Sequence, residues 1–386
     1  MTEDVIVGGT SIAPPVEHGG ALVPGGSWFN EPTDSGKEAM KPLVRFTGSG
    51  WELFSIHIGN YLLSILTLGV YSFWARARVR RYLWGNIEIL GENLEYNGTG
   101  GELFRSFLLI VLLGGVFAGI LFAFSLLTPF LSAAVLSVVL VPVGHFASHR
   151  ALRYRLTRTR WRGIRGNLYG SSVVYALRGS GYTFLSMLTL FLCVPLETAR
   201  LVSRRLNAFF FGSRRASFSG SSKPLFVRWI GTYILLTVFA SGGIIVFLAL
   251  SQKDFQAIAQ SSPGLVHVLV LAGGLAGAAL YGISSVIYRA AVVRWTFENL
   301  SFGAMRFNAE KYTAWSLLRL RVANCILLVI TLGLAYPWTE IRSLRFFLSS
   351  VRYTGDPDLK GLLQDTLPDA ARGEGLLDAL DMDISL

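Results

Sequence analysis

A chain of 386 residues is long enough for two or three water-soluble domains, yet 52% of it is hydrophobic and only 15% is charged, against about 25% charged in ordinary globular chains. With a mean hydropathy of +0.49, too few charges remain to solvate a soluble surface, and the composition points to an integral membrane protein. The net charge of +11 does not indicate a nucleic-acid binder, because the arginines interrupt apolar runs instead of gathering into a basic patch.

Residues 1–42 carry two Lys against six Asp/Glu. They are rich in Gly and Pro, which predicts a flexible cytoplasmic tail. No basic segment leading into an apolar run opens the chain, so insertion is expected to rely on an internal helix. The first apolar stretch, 53–75, is preceded by Glu52, contains His57 and Asn60, and ends in Thr67-Leu68-Gly69-Val70-Tyr71-Ser72-Phe73-Trp74. Arg76, Arg78, Arg80 and Arg81 follow it. Residues 106–149 hold no formal charge and have Pro129 near the middle. At about 20 residues per crossing this reads as two transmembrane helices, 106–127 and 130–149. Arg150, Arg153, Arg155, Arg158, Arg160, Arg162 and Arg165 come next and are expected on the cytoplasmic side. A second apolar stretch, 179–196, leads to a second hairpin at 228–250 and 264–287, connected through Lys253 and Asp254. The third stretch, 322–339, reads Thr331-Leu332-Gly333-Leu334-Ala335-Tyr336-Pro337-Trp338. Residues 356–386 carry Lys360 and Arg372 against eight Asp/Glu, an acidic C-terminal tail.

The three apolar stretches resemble one another. Arg78, Arg200 and Arg342 occupy one position in each, four residues past the Trp site; Asn60 and Asn324 stand seven residues before the Thr, where the middle copy has Tyr182. Gly98 follows Thr67 by the same 31 residues that separate Gly220 from Thr189, and Gly355 arrives seven residues sooner after Thr331. An aromatic-x-Gly with Phe eight residues after the aromatic recurs at Phe46, Tyr96 and Phe218. Together these predict an internal repeat over about 45–105, 158–226 and 294–355 within a membrane domain of 43–355. The expected fold is all-α: two transmembrane hairpins plus three Thr-Leu-Gly elements that either cross or re-enter. Seven simple crossings would strand about eleven basic residues outside. Four crossings with three broken elements entering and leaving on the cytoplasmic face is therefore preferred, both termini being cytoplasmic.

The run Thr67-Leu68-Gly69-x-Tyr71-x-x-Trp74-Ala75-x-x-Arg78, continued by Arg81-Tyr82 and Tyr96-x-Gly98, resembles the bacterial YjgN family, as does Thr331 to Arg342. The middle copy departs from it, with Phe191 at the Gly site and Leu196 at the Trp site. The resemblance covers roughly 45–355. It implies a multi-spanning protein of the bacterial cytoplasmic membrane and supplies no substrate, cofactor or catalytic residue.

Polar groups at membrane depth are costly, so His57, Asn60, Thr67, Asn324 and Thr331 form the candidate intramembrane site. Gly69, Trp74, Arg78, Gly333, Pro337, Trp338 and Arg342 mark the repeated motif. The alternative role for these residues is capping and packing at a broken helix. His145 and His149, four apart, suit one helix face; no third metal ligand at motif spacing accompanies them, so neither metal nor cofactor is expected. Glu197 and Glu340 are expected to pair with Arg200 and Arg342. Nucleotide-binding and hydrolase signatures are absent. Three functional readings result: a permease-like transporter of a small solute or lipid, a scaffold binding a protein partner through the acidic tail, and a lipid enzyme using His57 or Glu52. The transporter is preferred and the scaffold is its alternative. The bilayer is the expected partner, with anionic lipid headgroups at the arginine clusters and no nucleic acid.

Overall fold

The computed structural model describes residues 40–125, 128–249 and 261–357. Most of both expected tails, with the acidic partner segment, and the 126–127 and 253–254 connections lie outside the described residues. In chain order the helices are α1 (Gly50–Leu66), α2 (Ser72–Gly85), α3 (Gly100–Ser125), α4 (Pro129–Arg158) and α5 (Ser172–Leu188). They continue as α6 (Val194–Asn207), α7 (Lys223–Ala249), α8 (Pro263–Glu298), α9 (Ala314–Ile330) and α10 (Tyr336–Ser350).

Each apolar stretch folds as a helix, a break and a second helix. The leading helices α1, α5 and α9 are all 17 residues long. A hydroxyl caps each start: Ser49 accepts from Trp51 N–H, Ser171 from Val174 N–H and Thr313 from Ser316 N–H. The repeated threonine ends each one. Thr67, Thr189 and Thr331 donate to the carbonyls of Leu63, Leu185 and Leu327 at 2.8, 2.9 and 2.7 Å. Their oxygens accept from the N–H groups of Tyr71, Cys193 and Ala335. One side chain thus satisfies backbone groups on both sides of the break. The next two residues turn left-handed, with φ 50° at Leu68 and 88° at Gly69, 51° at Leu190 and 67° at Phe191, and 49° at Leu332 and 87° at Gly333. N–H of Gly69, Phe191 and Gly333 reaches back to Ser64, Ser186 and Leu328, a Schellman end. Glycine carries the larger positive φ at no steric cost, and Phe191 accepts about 1–2 kcal/mol for it. Pro195 and Pro337 sit in the first turn of α6 and α10, where a missing N–H costs nothing.

The second helix folds back on the first. Leu53 packs with Leu83 near the base of the first pair, and Asn60 donates to the Ala75 carbonyl at 3.4 Å further up. Asn324 repeats this with the Thr339 carbonyl at 3.4 Å and adds Ser343 Oγ at 3.1 Å. In the middle pair the Asn position is Tyr182, and Glu197, aligned with Ala75 and Thr339, bridges back to Thr183 and Ser186 instead.

Helices occupy the described residues of all four expected crossings. Lys223–Gly243 and Leu271–Glu298 have the length and hydropathy of membrane spans. Along α3, Val111, Leu112, Val116, Ile120 and Phe122 face outward. α4 runs nine residues past the expected end at 149, carrying the first arginines of its cluster on its last turns.

The chain is not all-α. Strands β1 (Lys41–Pro42), β2 (Val44–Phe46), β3 (Ile87–Ile89), β4 (Glu92–Asn93), β5 (Glu95–Tyr96) and β6 (Thr159–Trp161) are joined by β7 (Ile164–Leu168), β8 (Phe209–Phe211), β9 (Arg214–Phe218), β10 (Leu300–Phe302), β11 (Met305–Asn308) and β12 (Arg352–Thr354). Nine of them form one antiparallel sheet in the order β1-β12-β11-β10-β9-β8-β7-β6-β5, and β2-β3-β4 form a second. Strands of two to five residues are too short to show an alternating pattern. Arg160 and Arg165, expected in a membrane-flanking basic cluster, lie on β6 and β7. The turn signals were present in the sequence: Leu90-Gly91 and Arg162-Gly163 both have positive φ at the two central hairpin positions. The aromatic-x-Gly motif closes strands onto helices. The rings of Phe46, Tyr96 and Phe218 lie over Gly48, Gly98 and Gly220, where any Cβ would collide.

Candidate functional site

A cavity of about 610 Å³ opens where the first and third helix pairs meet α4. α1 contributes His57, Asn60, Tyr61 and Ser64; α2 contributes Arg76 and Arg80; α4 contributes Arg155; α10 contributes Tyr336 and Glu340. Arg76 and Arg80 stand four apart and so share one face of α2. Trp338 fixes the junction of the pairs, its ring centroid 5.3 Å from Trp51 and 4.9 Å from Phe54.

The His57 imidazole is oriented by its own helix. Nδ1 lies 2.9 Å from the Leu53 carbonyl, which can only accept, so Nδ1 carries a proton. Nε2 then faces Glu340 Oε2 at 3.9 Å. Asn60 is 5% exposed, and its Oδ1 has no hydrogen-bond partner among the described residues. Counting three arginines against one glutamate, the walls carry two excess positive charges before His57 is considered. A low-dielectric wall strengthens their pull on an anion.

The candidate residues do not form one cluster. His57 and Asn60 line the cavity; Thr67 and Thr331 sit at the tips of their own pairs, and Asn324 is buried inside the third. Gly69 and Gly333 form the breaks, while Trp74 contacts Tyr71 and Phe104. Arg78 lies over the Tyr71 ring and Arg342 is exposed. Glu52 is engaged by the Tyr82 hydroxyl at 2.8 Å rather than by His57. That hydroxyl also accepts from Ser49 N–H at 2.7 Å. Burial, then the Glu52 bond, pushes the Tyr82 phenol up to about 12. Neither Glu197–Arg200 nor Glu340–Arg342 pairs; each glutamate turns to a partner on another helix.

His145 and His149 also separate. Thr183 donates to Glu197 Oε1 at 2.6 Å, so its oxygen accepts from His145 Nε2 at 2.8 Å. Ser186 donates to Glu197 Oε2 at 3.0 Å, and His149 Nδ1 meets Ser172 Oγ at 2.9 Å. Sequence reasoning missed Arg76, Arg80 and Arg155 as site residues. The i, i+4 spacing of the first two was a usable signal, but nothing local announces Arg155 or Glu340 as their neighbours.

The family described as bacterial protein of unknown function (DUF898) matches residues 41–379. The chain is 25% identical to the inner membrane protein YjgN of Salmonella typhimurium, with 86% of this chain and 94% of that protein covered. It is 28% identical to YjgN of Escherichia coli O157:H7 over 70% of this chain and 52% of that protein, about half its length. A 120-residue stretch is 36% identical to YjgN of Escherichia coli K12, covering 31% of this chain and 29% of that protein. No solved structure matches. The match to the family over most of the chain, together with these inner-membrane relatives, shows that this protein belongs to the DUF898 family.

Proposed function

We propose that this protein is a multi-pass, permease-like protein of the cytoplasmic membrane that takes a small anionic solute into the cavity between its first and third helix pairs. The observation that carries the reading is the cavity itself: polar, near the junction of two broken helix pairs, and lined by Arg76, Arg80 and Arg155 around His57 and Glu340. Broken helices at membrane depth are where transporter sites tend to lie.

The topology that goes with this reading has four crossings, with the three helix pairs as copies of one re-entrant unit. Its support is twofold. Strands bonded into one sheet lie on one side of a bilayer, and the sheet takes strands from both flanks of the second pair and of both long-helix hairpins. On this reading each pair returns to the face it entered from. The breaks also expose their leucines: Leu68 is 96%, Leu190 71% and Leu332 91% exposed, an arrangement suited to lipid and unfavourable in water. The arginine-rich sheet takes the cytoplasmic side, and the lipid bilayer is the partner.

The test is a thermal-shift screen of soluble carboxylates, phosphates and sulfonates on the detergent-purified protein. An anion that stabilises the wild type, and stabilises Arg76→Gln and Arg80→Gln at least about tenfold more weakly, fits the loss of one charge-assisted contact each. The same anion should exchange across proteoliposomes containing the wild type but not Asn60→Leu. Equal stabilisation of all variants, or normal exchange by Asn60→Leu, contradicts the reading.

A further inference from the structure

A second cavity, about 680 Å³, lies between α8 and α9, remote in sequence from the arginines of the first. Its walls are apolar along most of their length, with Gly282, Ile283 and Val286 on α8 and Val322 on α9. Two exposed arginines, Arg289 and Arg321, line it as well. Neither forms an ion pair, hydrogen bond or ring contact among the described residues, unlike Arg294, which pairs with Glu298 on the same helix. Tyr312, just before α9 and packed beside Val286 and Leu317, is within electrostatic reach of both guanidinium groups. From Ala279 to Arg289 the cavity follows α8 for ten residues, about 15 Å, which is half of a hydrocarbon core of about 30 Å.

We infer that this cleft is a binding site for one anionic phospholipid of the leaflet next to the sheet, its phosphate between Arg289 and Arg321 and an acyl chain along the α8–α9 groove. The inference rests on the reading that α8 spans the bilayer. Charge and shape argue together. An apolar trough the depth of one leaflet suits a chain, and the two arginines among its lining suit a phosphate ester, whereas a soluble anion would leave most of the trough empty. Ser285 adds a hydroxyl among the lining residues, and the small side chains of Ala279 and Gly282 leave room for methylenes.

Cys325 lines the same cavity and is exposed, so it is a built-in reporter. In a Cys193→Ala background it is the only remaining thiol of the two in the chain. Its alkylation by N-ethylmaleimide would be timed in uncharged detergent micelles containing phosphatidylglycerol, phosphatidylcholine or inorganic phosphate. Phosphatidylglycerol is expected to protect Cys325 at concentrations about thirtyfold lower than phosphatidylcholine, from two arginine–headgroup attractions. Phosphate alone should not protect. Arg289→Gln with Arg321→Gln should abolish the preference, and the paired Arg→Lys variant should retain most of it. Equal protection by the two lipids, protection by phosphate alone, a preference surviving in the double Gln variant, or a Cys325 that does not react in lipid-free micelles would each overturn the proposal. If the double Gln variant does not fold, the comparison of two lipids on the intact arginines still decides. Failure of the bilayer reading is distinguishable, because such a protein would not fractionate with membranes before any lipid was added.

Discussion

Placing a carboxylate at the break of a helix pair separates a tip in lipid from a tip in water. Leu332 is a clean position for this, being 91% exposed with a side chain that supports almost no protein contact. Its φ of 49° is one that aspartate tolerates, so Leu332→Asp adds no backbone strain. Any loss of stability then reports the surrounding medium. The leading helix α9 has 17 residues, about 25 Å from its cap at Thr313, so its tip can reach deep into a hydrocarbon core of about 30 Å. Replacing a leucine by aspartate at the core centre costs about 3–4 kcal/mol on insertion scales, and about half of that at intermediate depth. Unfolding of wild type and Leu332→Asp would be followed by heat or denaturant in lipid nanodiscs. A loss of about 2–4 kcal/mol is expected, repeated in Leu68→Asp. A change within about 0.5 kcal/mol, as at an ordinary water-exposed site, would refute membrane immersion of the tips.

Three more outcomes follow from the same geometry. Thr67→Val and Thr331→Val each remove a hydroxyl that bonds both sides of a break, and each should lower unfolding stability by about 1–2 kcal/mol by thermal denaturation; no change would mean the break holds without its staple. Trp338→Ala should cost about 3–5 kcal/mol in the same assay and loosen the first pair from the third, seen as faster hydrogen exchange in α1; unchanged exchange would contradict its docking role. Tyr82 has its folded-state pKa raised to about 12 from an ordinary 10, so its contribution is complete below pH 10 and is lost as pH rises through 12. Alkaline unfolding should therefore be steeper between pH 10 and 12 in wild type than in Tyr82→Phe, and identical profiles would count against the Ser49–Tyr82–Glu52 bridge.

Much of the helical layout was legible because it is written locally. Thr67, Thr189 and Thr331 recur at matching distances from their capping residues, and each performs its hydrogen bonding within four residues either way. The uncharged runs 106–149 and 229–252 indicated long apolar helices for the same reason, since length and hydropathy are summed over neighbours. The sheet was not legible. Its strands are a few residues long, and Glu95 meets Arg160 while Lys41 meets Tyr353, pairings that no short-range pattern encodes. The candidate site was half legible. Buried polar residues on an apolar helix flagged His57 and Asn60, but Glu340 lies far along the chain and comes to His57 only through the docking of two helix pairs. Glu197 shows the same principle in reverse. Its nearness to Arg200 suggested an ion pair, while the helix break turned its carboxylate toward Thr183 and Ser186.

The central claim is that the helix pairs enter and leave on one face, and Ser213 tests it most directly. It is exposed in the turn between β8 and β9, beside Arg214 and Arg215. In a background with Cys193 and Cys325 replaced, Ser213→Cys would be treated in intact cells with an impermeant thiol reagent, before and after permeabilisation. Labelling only after permeabilisation is the predicted result, since it puts the sheet in the cytoplasm with the second pair returning to it. Labelling from outside in intact cells would mean simple crossings, and would contradict both the re-entrant pairs and the placement of the cavity that depends on them.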